Sequence, residues 1–524
     1  MNKVDNPKNT GPKSRVVAAI DIGSNAIRMA VGQILDNGRL EVLDRMQRPI
    51  HLGQDTFQRG RLHAQTIRSA VAVLRQFHEA LLPYQVRNFR AVATSAVREA
   101  ANGETFVDRI FMATGLEVSV ISGAEESRLM ISAVRRIADR ILARRKNVLV
   151  AQVGGGCTVL NLLNKGSIQT SQSLPIGSIR QQEVLSVSDE SAEQAARMIQ
   201  NQVAGALSAF GSLLPLKTIQ TVMAVGPDAR WMAAQIGKPC GEDQVLCIAR
   251  ERFDDLVETC RAMGPDQLAR RYGLSFFDAE TLGPALLVYQ VLLNATRAKT
   301  ILVPNAYMLD GILAELGQEL TGEFDEAVYR QTLQSAQGIA AKYHVNCEHA
   351  ERVTDLALRL FDLFQPVHRL NPRHRLLLNV AALLHEVGTF VSSRAHHKHT
   401  LYLVANTEIF GLTQEELLVV ANVARYHRQS RPKLSHPEYR ELAKERRMVV
   451  NKLCALLRVA DCLDVTRSQQ IRDAALRLQD ETLVIEVSST GDLALEQRSL
   501  KLKSDVFQDI YGMDVRIDNR EATL

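Results

Sequence analysis

The feature that most constrains the fold is an internal repeat, in which one order of predicted elements occurs twice along the chain. Each copy shows an apolar strand, a polar loop that contains glycine, a second strand, a turn and a third strand. Aligning Asp21 with Gln152 superimposes the copies at an offset of 131 residues. Such repeats determine architecture, so we predict two similar α/β halves that face each other. The predicted strands are 16–20, 27–34 and 40–43 in the first copy, with a turn at 36–38, and 148–153, 159–163 and 168–173 in the second.

The two glycine loops are candidate phosphate sites. Glycine leaves backbone N–H groups accessible and tolerates positive φ, so a loop of this kind can hold an anion closely. One such loop is weak evidence, because each by itself is also explained as a tight hairpin. Two loops in register can clamp one phosphoryl group between them. The predicted phosphate-binding residues are Asp21, Gly23, Ser24 and Asn25 in the first loop, and Gly154, Gly155, Gly156, Cys157 and Thr158 in the second.

The length of 524 residues exceeds a single core, since cores stop growing near roughly 250–300 residues. Strand signals end at about Glu323, long amphipathic helices follow to about 467, and the tail shows strand candidates at 482–487, 500–502 and 513–517. We therefore predict an α/β fold followed by an all-helical domain and a small α+β tail. The predicted boundaries are 1–14 for a disordered tail, 15–125 and 126–320 for the two α/β halves, 321–470 for the helical domain and 471–524 for the mixed C-terminal domain.

Composition narrows the partners. A net charge of +5 suits an anionic ligand, while the absence of a recognition motif argues against DNA. Aromatic residues make up 5% with one tryptophan, which argues against recognition mainly by stacking. The seven cysteines are scattered without a CxxC pair, so we expect neither a disulfide framework nor a zinc ribbon, and a reducing cytoplasm. The first 15 residues lack an apolar leader segment, and no run is long enough for a membrane.

Several motifs resemble one known family in their order along the chain. The sequence is similar to the exopolyphosphatase/guanosine pentaphosphate phosphohydrolase (Ppx/GppA) family, strongly over roughly residues 15–320 and more loosely beyond. The resemblance implies two actin-like halves of the ribonuclease H-like superfamily. The motifs are Ala19–Arg28 (AIDIGSNAIR), Ala93–Ala100 (ATSAVREA), Ile121–Leu129 (ISGAEESRL), Gly154–Gly156 and Leu174–Gly177 in the first part, and Leu384–Gly388 (LHEVG) and Arg425–Arg428 (RYHR) in the helical part.

The resemblance implies a chemistry. The family removes terminal phosphates from polyphosphate or guanosine pentaphosphate (pppGpp) with Mg²⁺, by attack of water on phosphorus. Glu126 matches the glutamate that positions or deprotonates this water, which is a task for a carboxylate. Arg98 matches a cation that neutralises phosphate charge, and Asp21 a magnesium ligand. A homodimer formed through the helical part is likewise implied.

The sequence departs from the family pattern at three places in the second half. Gln152 stands where the family has a metal-associated aspartate, and a neutral glutamine is a poorer magnesium ligand. Val159 replaces a second carboxylate, and the loop 226–230 contains Pro227, which lacks an N–H donor. Two interpretations stay open: an exopolyphosphatase with altered metal dependence, or a degraded site that senses polyphosphate or a nucleotide.

The helical part resembles the HD-type metal phosphohydrolase fold. Its order His349, His385-Glu386 and Asp461 matches the metal ligands of that fold, with Glu386 in place of the usual aspartate. The resemblance allows either a second metal site at these residues or a structural domain that guides polyphosphate.

Overall fold

A computed structural model shows that the chain forms two compact units, residues 1–323 and 324–524. It describes residues 15–35, 39–186, 192–209, 215–241, 244–321, 326–428, 430–467, 471–489 and 492–519. The predicted tail 1–14 and the predicted turn at 36–38 lie outside the described residues.

The first unit contains two sheets that repeat one topology. In each, three antiparallel strands are followed by strands that pair parallel to the first strand and to each other, in the order β3-β2-β1-β4-β5 and β8-β7-β6-β9-β12. The predicted duplication is thus confirmed. The strands are β1 Arg15–Ile22, β2 Ala26–Ile34, β3 Leu40–Pro49, β4 Asn88–Ala93, β5 Val118–Val120, β6 Val148–Val153, β7 Thr158–Asn164, β8 Ser167–Leu174, β9 Thr221–Val225, β10 Lys238–Pro239, β11 Val245–Ala249 and β12 Thr300–Pro304.

Helices cover both faces of the two sheets. The helices of the first unit are α1 Leu52–Arg59, α2 Ala64–Leu81, α3 Ser95–Arg98, α4 Gly103–Thr114, α5 Gly123–Arg144, α6 Ser178–Ser186, α7 Ala192–Ala209, α8 Pro227–Ile236, α9 Arg250–Arg261, α10 Pro265–Tyr272, α11 Phe276–Asn294 and α12 Met308–Thr321, with 3₁₀ turns at Leu82–Tyr84 and Leu216–Thr218. Residues of α5 and α12 share one core with strands of both sheets. The predicted division at 125/126 therefore falls in the first turn of α5.

Strand β1 shows why the central strands are continuous apolar runs. Its alternate side chains enter different cores: Val17 and Ala19 face α5 and α12, while Ala18 and Ile20 face α2 and α4. Successive side chains of a strand point to opposite faces, so a strand covered on both faces must be apolar throughout. Both sheets therefore end in polar loops at the same kind of edge.

Helix α11 is the one described helix that is long and apolar enough to cross a membrane. It contains Pro284 and contributes Leu286 and Leu292 to the core of the second half, and 67% of its apolar window is buried inside the protein. A core helix of a globular unit has these properties.

The second unit combines helices with a small sheet. Its elements are α13 Glu326–Lys342, α14 Cys347–His368, α15 Pro372–Leu384, a 3₁₀ turn at Val387–Phe390, α16 His396–Ala405, α17 Gln414–Arg425, α18 Pro437–Arg440, α19 Lys444–Cys462, β13 Ile471–Gln479, β14 Thr482–Ser489, α20 Ala494–Lys503, α21 Asp505–Tyr511 and β15 Asp514–Asn519. One hydrophobic core joins the helices to this sheet, so the boundary predicted at 470/471 lies within a shared core.

Two sequence-based expectations are wrong here. Residues 500–502 are not a strand but lie in α20, where apolar Leu500 faces the core and Leu502 the solvent. Cys240 and Cys247 form a disulfide across the β10–β11 hairpin. Their spacing of seven residues gave no signal, because only the hairpin register brings the two side chains together.

Candidate active site

The two glycine loops meet, and they have the same internal geometry. In the first, the Gly23 N–H donates to the Ala26 carbonyl at 3.1 Å; in the second, the Gly154 N–H donates to the Cys157 carbonyl at 2.9 Å. A Cβ added at Gly155 would lie 3.0 Å from both Asn25 Oδ1 and the Ser24 Cβ. The glycine thus permits this close approach, and the loops can address one ligand together.

A polar cavity of about 100 Å³ opens beside the loops. At about 30 Å³ per water molecule, it has room for a group about as large as three waters. It is lined by Asp21, Gly23, Ser24, Asn25, Arg28, Thr94, Ser95, Glu126, Met130, Gln152, Val153, Gly154, Gly155, Cys157, Ser178, Gly226, Pro227, Asp228, Arg230, Tyr307, Met308 and Leu309.

Glu126 reaches the cavity from the first turn of α5. Ser122 caps this helix by accepting from the Glu125 N–H at 3.2 Å, which fixes the direction in which α5 leaves the sheet. Glu126 is 7% exposed. Burial raises the pKa of its carboxyl group to about 7 against the opposing charge of Arg98, and the charge of Asp21 raises it further. A carboxyl group with a pKa near neutrality suits proton transfer at physiological pH.

Four oxygen atoms around the cavity lack a hydrogen-bond partner. They are Asp21 Oδ1, Asn25 Oδ1, Glu126 Oε2 and Gln152 Oε1, all buried. The other Glu126 oxygen, Oε1, accepts from Gln152 Nε2 at 3.2 Å, and Asp21 Oδ2 pairs with Arg28 Nη1 at 3.4 Å. Buried oxygens are normally satisfied, so this concentration marks the place where a cation or a polar ligand is accommodated.

Comparison with known proteins gives the family. The pattern described as the Ppx/GppA phosphatase family matches residues 31–319, and that of Ppx/GppA phosphatase domain III matches 331–505. The chain belongs to the Ppx/GppA phosphatase family. A curated relative from Pseudoalteromonas translucida (strain TAC 125), named guanosine-5'-triphosphate,3'-diphosphate pyrophosphatase, is 24% identical over 483 residues, which are 90% of this chain and 92% of the relative.

Solved structures share the fold. A crystal structure of an exopolyphosphatase from Cytophaga hutchinsonii ATCC 33406 is 21% identical, with a TM-score of 0.54 over 59% of this chain and 98% of that chain. An exopolyphosphatase-like protein is 22% identical, with a TM-score of 0.53 over 59% of this chain and 99% of that one. The predicted fold class, two actin-like α/β halves with a helical domain behind them, is confirmed.

Most predicted phosphate-loop residues of this Ppx/GppA protein line the cavity, and two do not. Thr158 is fully buried and its hydroxyl donates to the Ile176 carbonyl at 2.5 Å. Gly156 lies behind the loop, where a Cβ would collide with Phe57. Cys157 lines the cavity, but burial raises its thiol pKa to about 12, so it stays protonated and is a poor nucleophile.

Arg98 lies beside the cavity rather than on its wall. Its Nη1 donates to the Ile121 carbonyl at 2.6 Å, at the strand end that leads into α5. Its charge lowers the pKa of Glu126. The guanidinium thus acts on the carboxylate through space, and Arg28 and Arg230 are the arginines that line the cavity.

The loop 226–230 also differs from the expectation. Gly226 has a φ of 113°, which requires glycine, and Pro227 begins α8. The missing N–H of a proline costs nothing at a helix start. The same helix turn brings Asp228 and Arg230 to the cavity, and burial raises the pKa of Asp228 to about 7, with the charge of Asp278 adding to it. Sequence reasoning missed Asp228 because its neighbours come from distant segments.

The predicted metal ligands of the second unit lie together. Atoms of His349, His385 and Glu386 that can bind a metal are all within 4.8 Å of one another, and Asp461 Oδ1 lies 3.6 Å from the Nε2 atoms of both histidines. Arg467 pairs with Glu386, and Lys503 with Asp461.

Proposed function

We propose that the cavity binds the end of a chain of linked phosphates and hydrolyses its terminal phosphoanhydride. The observation that carries this proposal is the contact between the two loops beside Glu126, whose unpartnered Oε2 borders the same cavity. Backbone N–H groups at such loops bind phosphate oxygens without side-chain obstruction.

Inorganic polyphosphate is the proposed substrate. Tyr307 is the one aromatic residue among the described residues that line the cavity. The guanidinium of Arg230 lies 3.8 Å from the centre of its ring and that of Arg45 lies 4.4 Å from it, so the ring already stacks with cations of the protein. These arginines add positive charge for a polyanion without offering a surface for a base.

In the proposed reaction, a water molecule attacks the terminal phosphorus while Glu126 accepts its proton. The new P–O bond forms as the bond to the bridging oxygen breaks, and the shortened chain leaves as an anion. Arg28 and Arg230 neutralise charge on the phosphoryl oxygens, which is the main catalytic requirement of phosphoryl transfer. Gln152 holds Glu126 through its 3.2 Å hydrogen bond, so the carboxylate keeps one orientation.

The oxygen donors present fit a magnesium ion. Asp21 Oδ1, Asn25 Oδ1 and Gln152 Oε1 are buried, unpartnered and on the cavity wall, and Mg²⁺ prefers oxygen ligands from few carboxylates together with substrate phosphates. These residues would hold it. When bound, the ion would supply further neutralisation of phosphate charge.

A second candidate substrate is pppGpp. It is favoured by the name of the Pseudoalteromonas relative, which covers 90% of this chain. The loss of a nucleotide 5'-phosphate requires the same water attack, so the cavity geometry serves either substrate. The third possibility is a binding protein without turnover, in which Gln152 replaces a carboxylate needed for catalysis.

The test measures phosphate release by purified protein from long-chain polyphosphate and from pppGpp, each with and without Mg²⁺. We expect Mg²⁺-dependent release from polyphosphate with a higher kcat/KM than from pppGpp. Glu126→Gln should lower kcat by about 10²–10⁴-fold, the usual contribution of general base catalysis. Glu125→Gln changes the neighbouring carboxylate, which does not line the cavity, and should retain activity.

Preference for pppGpp would establish the second candidate instead. Tight binding of polyphosphate without release of phosphate from either substrate would establish a sensor. Full activity of Glu126→Gln would show that another group accepts the proton.

A further inference from the structure

The second unit contains a group of buried imidazoles that the proposed hydrolysis does not use. The histidine cluster consists of His349 on α14, His385 after α15, His396 on α16, His427 after α17 and Asp461 on α19. None of the five is more than 8% exposed. Histidine and aspartate are rarely buried together without partners for their polar atoms.

Three atoms of the cluster converge as metal ligands do. His349 Nε2 and His385 Nε2 are 3.3 Å apart, and Asp461 Oδ1 is 3.6 Å from each. Nitrogen and oxygen ligands bind Zn²⁺ at about 2.0–2.1 Å in a tetrahedral arrangement, which separates neighbouring ligand atoms by about 3.4 Å. The triangle observed here has these dimensions.

The outer nitrogens of the imidazoles fix the direction of the lone pairs. His385 Nδ1 lies 2.6 Å from the Ala382 carbonyl and His349 Nδ1 lies 2.8 Å from Asp464 Oδ2. These oxygens accept hydrogen bonds, so each Nδ1 carries the proton and each Nε2 presents a lone pair. Two lone pairs that face each other at 3.3 Å repel unless a cation lies between them. Metal-bound histidines typically have this outer-shell arrangement.

A neighbouring pair repeats the pattern. His396 Nε2 faces His427 Nε2 at 3.2 Å, while the Nδ1 of His427 lies 2.5 Å from the Ala424 carbonyl. The rings of His427 and His385 are 5.0 Å apart. The same orientation therefore extends across four helical segments, which indicates one polar centre rather than isolated buried histidines.

We propose that His349, His385 and Asp461 bind one divalent transition-metal ion, with Glu386 in reach as a fourth ligand. Two imidazoles and a carboxylate suit Zn²⁺ or a related ion better than Mg²⁺, which prefers oxygen. Lys503 contacts Asp461 through Oδ2, which leaves Oδ1 to the imidazoles. The ion would tie α14, the end of α15 and α19 together.

The experiment uses the untagged full-length chain. It is purified without chelators and analysed for metals, then stripped with a chelator and titrated with Zn²⁺ by calorimetry and with Co²⁺ by absorption spectroscopy. We expect about one ion per chain and the visible bands of tetrahedral Co²⁺. His349→Gln and Asp461→Asn should weaken binding at least 100-fold, and Asp464→Asn, which alters only the outer partner of His349, about 10–100-fold. His344→Asn changes an exposed histidine of the same unit and should bind normally.

Circular dichroism on each variant separates loss of ligands from loss of folding, and the stripped wild-type chain gives the same check without any substitution. A folded wild-type chain that binds neither ion would overturn the proposal. Binding that persists unchanged in His349→Gln/Asp461→Asn would also overturn it, as would binding that appears only in Lys503→Met, since the lysine would then take the place of the metal. Polyphosphate hydrolysis is measured separately, because it depends on the first unit.

Discussion

Replacing Glu126 with glutamine should stabilise the folded protein as well as remove its proposed general base. The side chain is 7% exposed, and burial raises its pKa from 4.5 to about 7. Glutamine preserves the size of the side chain but carries no charge, so it avoids burying an ionised carboxylate. Active-site groups are often kept at such a cost in stability.

The magnitude depends on pH in a defined direction. Because the folded protein binds the Glu126 proton more tightly than the unfolded chain, the contribution of this group is complete below pH 4.5 and is lost as the pH rises through about 7. At about 1.4 kcal/mol for each pH unit, the loss reaches about 3 kcal/mol above pH 8 and is about 1 kcal/mol at pH 5. Glu126→Gln should recover these amounts.

Urea unfolding followed by tryptophan fluorescence can measure this difference. The chain has a single tryptophan, Trp231 on α8, which packs edge-on against Tyr272 at 5.1 Å. Its emission therefore reports on the first unit alone. Wild type, Glu126→Gln and the control Glu79→Gln, which changes an exposed side chain, are compared at pH 5 and pH 8.5 without Mg²⁺ or phosphate, since ligands would shift stability.

An advantage of Glu126→Gln that is the same at both pH values would refute the reasoning, because a neutral cavity effect does not titrate. Destabilisation at pH 8.5 would show that the ionised carboxylate is better satisfied in the folded protein than its unpartnered oxygen suggests.

Other substitutions around the cleft separate its parts. Gln152→Leu removes the hydrogen bond to Glu126, worth about 1.5–3 kcal/mol to a charged group, and should move the acid limb of kcat/KM upward by about one to two pH units. Gly155→Ala should push the loops apart and lower kcat/KM at least about tenfold, whereas Gly205→Ala, in open space on α7, should not, as phosphate-release assays can show. Tyr289→Phe leaves buried backbone groups of β6 and β9 without their hydroxyl partner and should cost about 1–3 kcal/mol in urea unfolding.

The duplicated halves could be predicted because their signals are local. Apolar runs of four to nine residues followed by glycine loops specify a strand–loop–strand unit, whichever strands it later pairs with. Local signals failed where packing decides. Residues 500–502 became helical because α20 buries Leu500 against the second unit's core, and Cys240 meets Cys247 only through the β10–β11 register.

The candidate site was predicted in part. Family resemblance pointed to Asp21 and Glu126, which both border the cavity. Arg28 and Asp228 could not be found in this way, since they come from segments far apart in sequence and each is unremarkable in its own. The predicted magnesium ion, homodimer and cytoplasmic location stay predictions.

By itself, the sequence determined the family, the duplication and the glycines that let two backbones approach each other, because these depend on residue type and spacing. Only the tertiary structure decided what surrounds Glu126: burial, the amide of Gln152 and the charges of Arg98 and Asp21 together set its pKa. The physical reason is that desolvation and Coulomb interactions act through distances in space, and those distances exist only once α5 has packed between the two sheets.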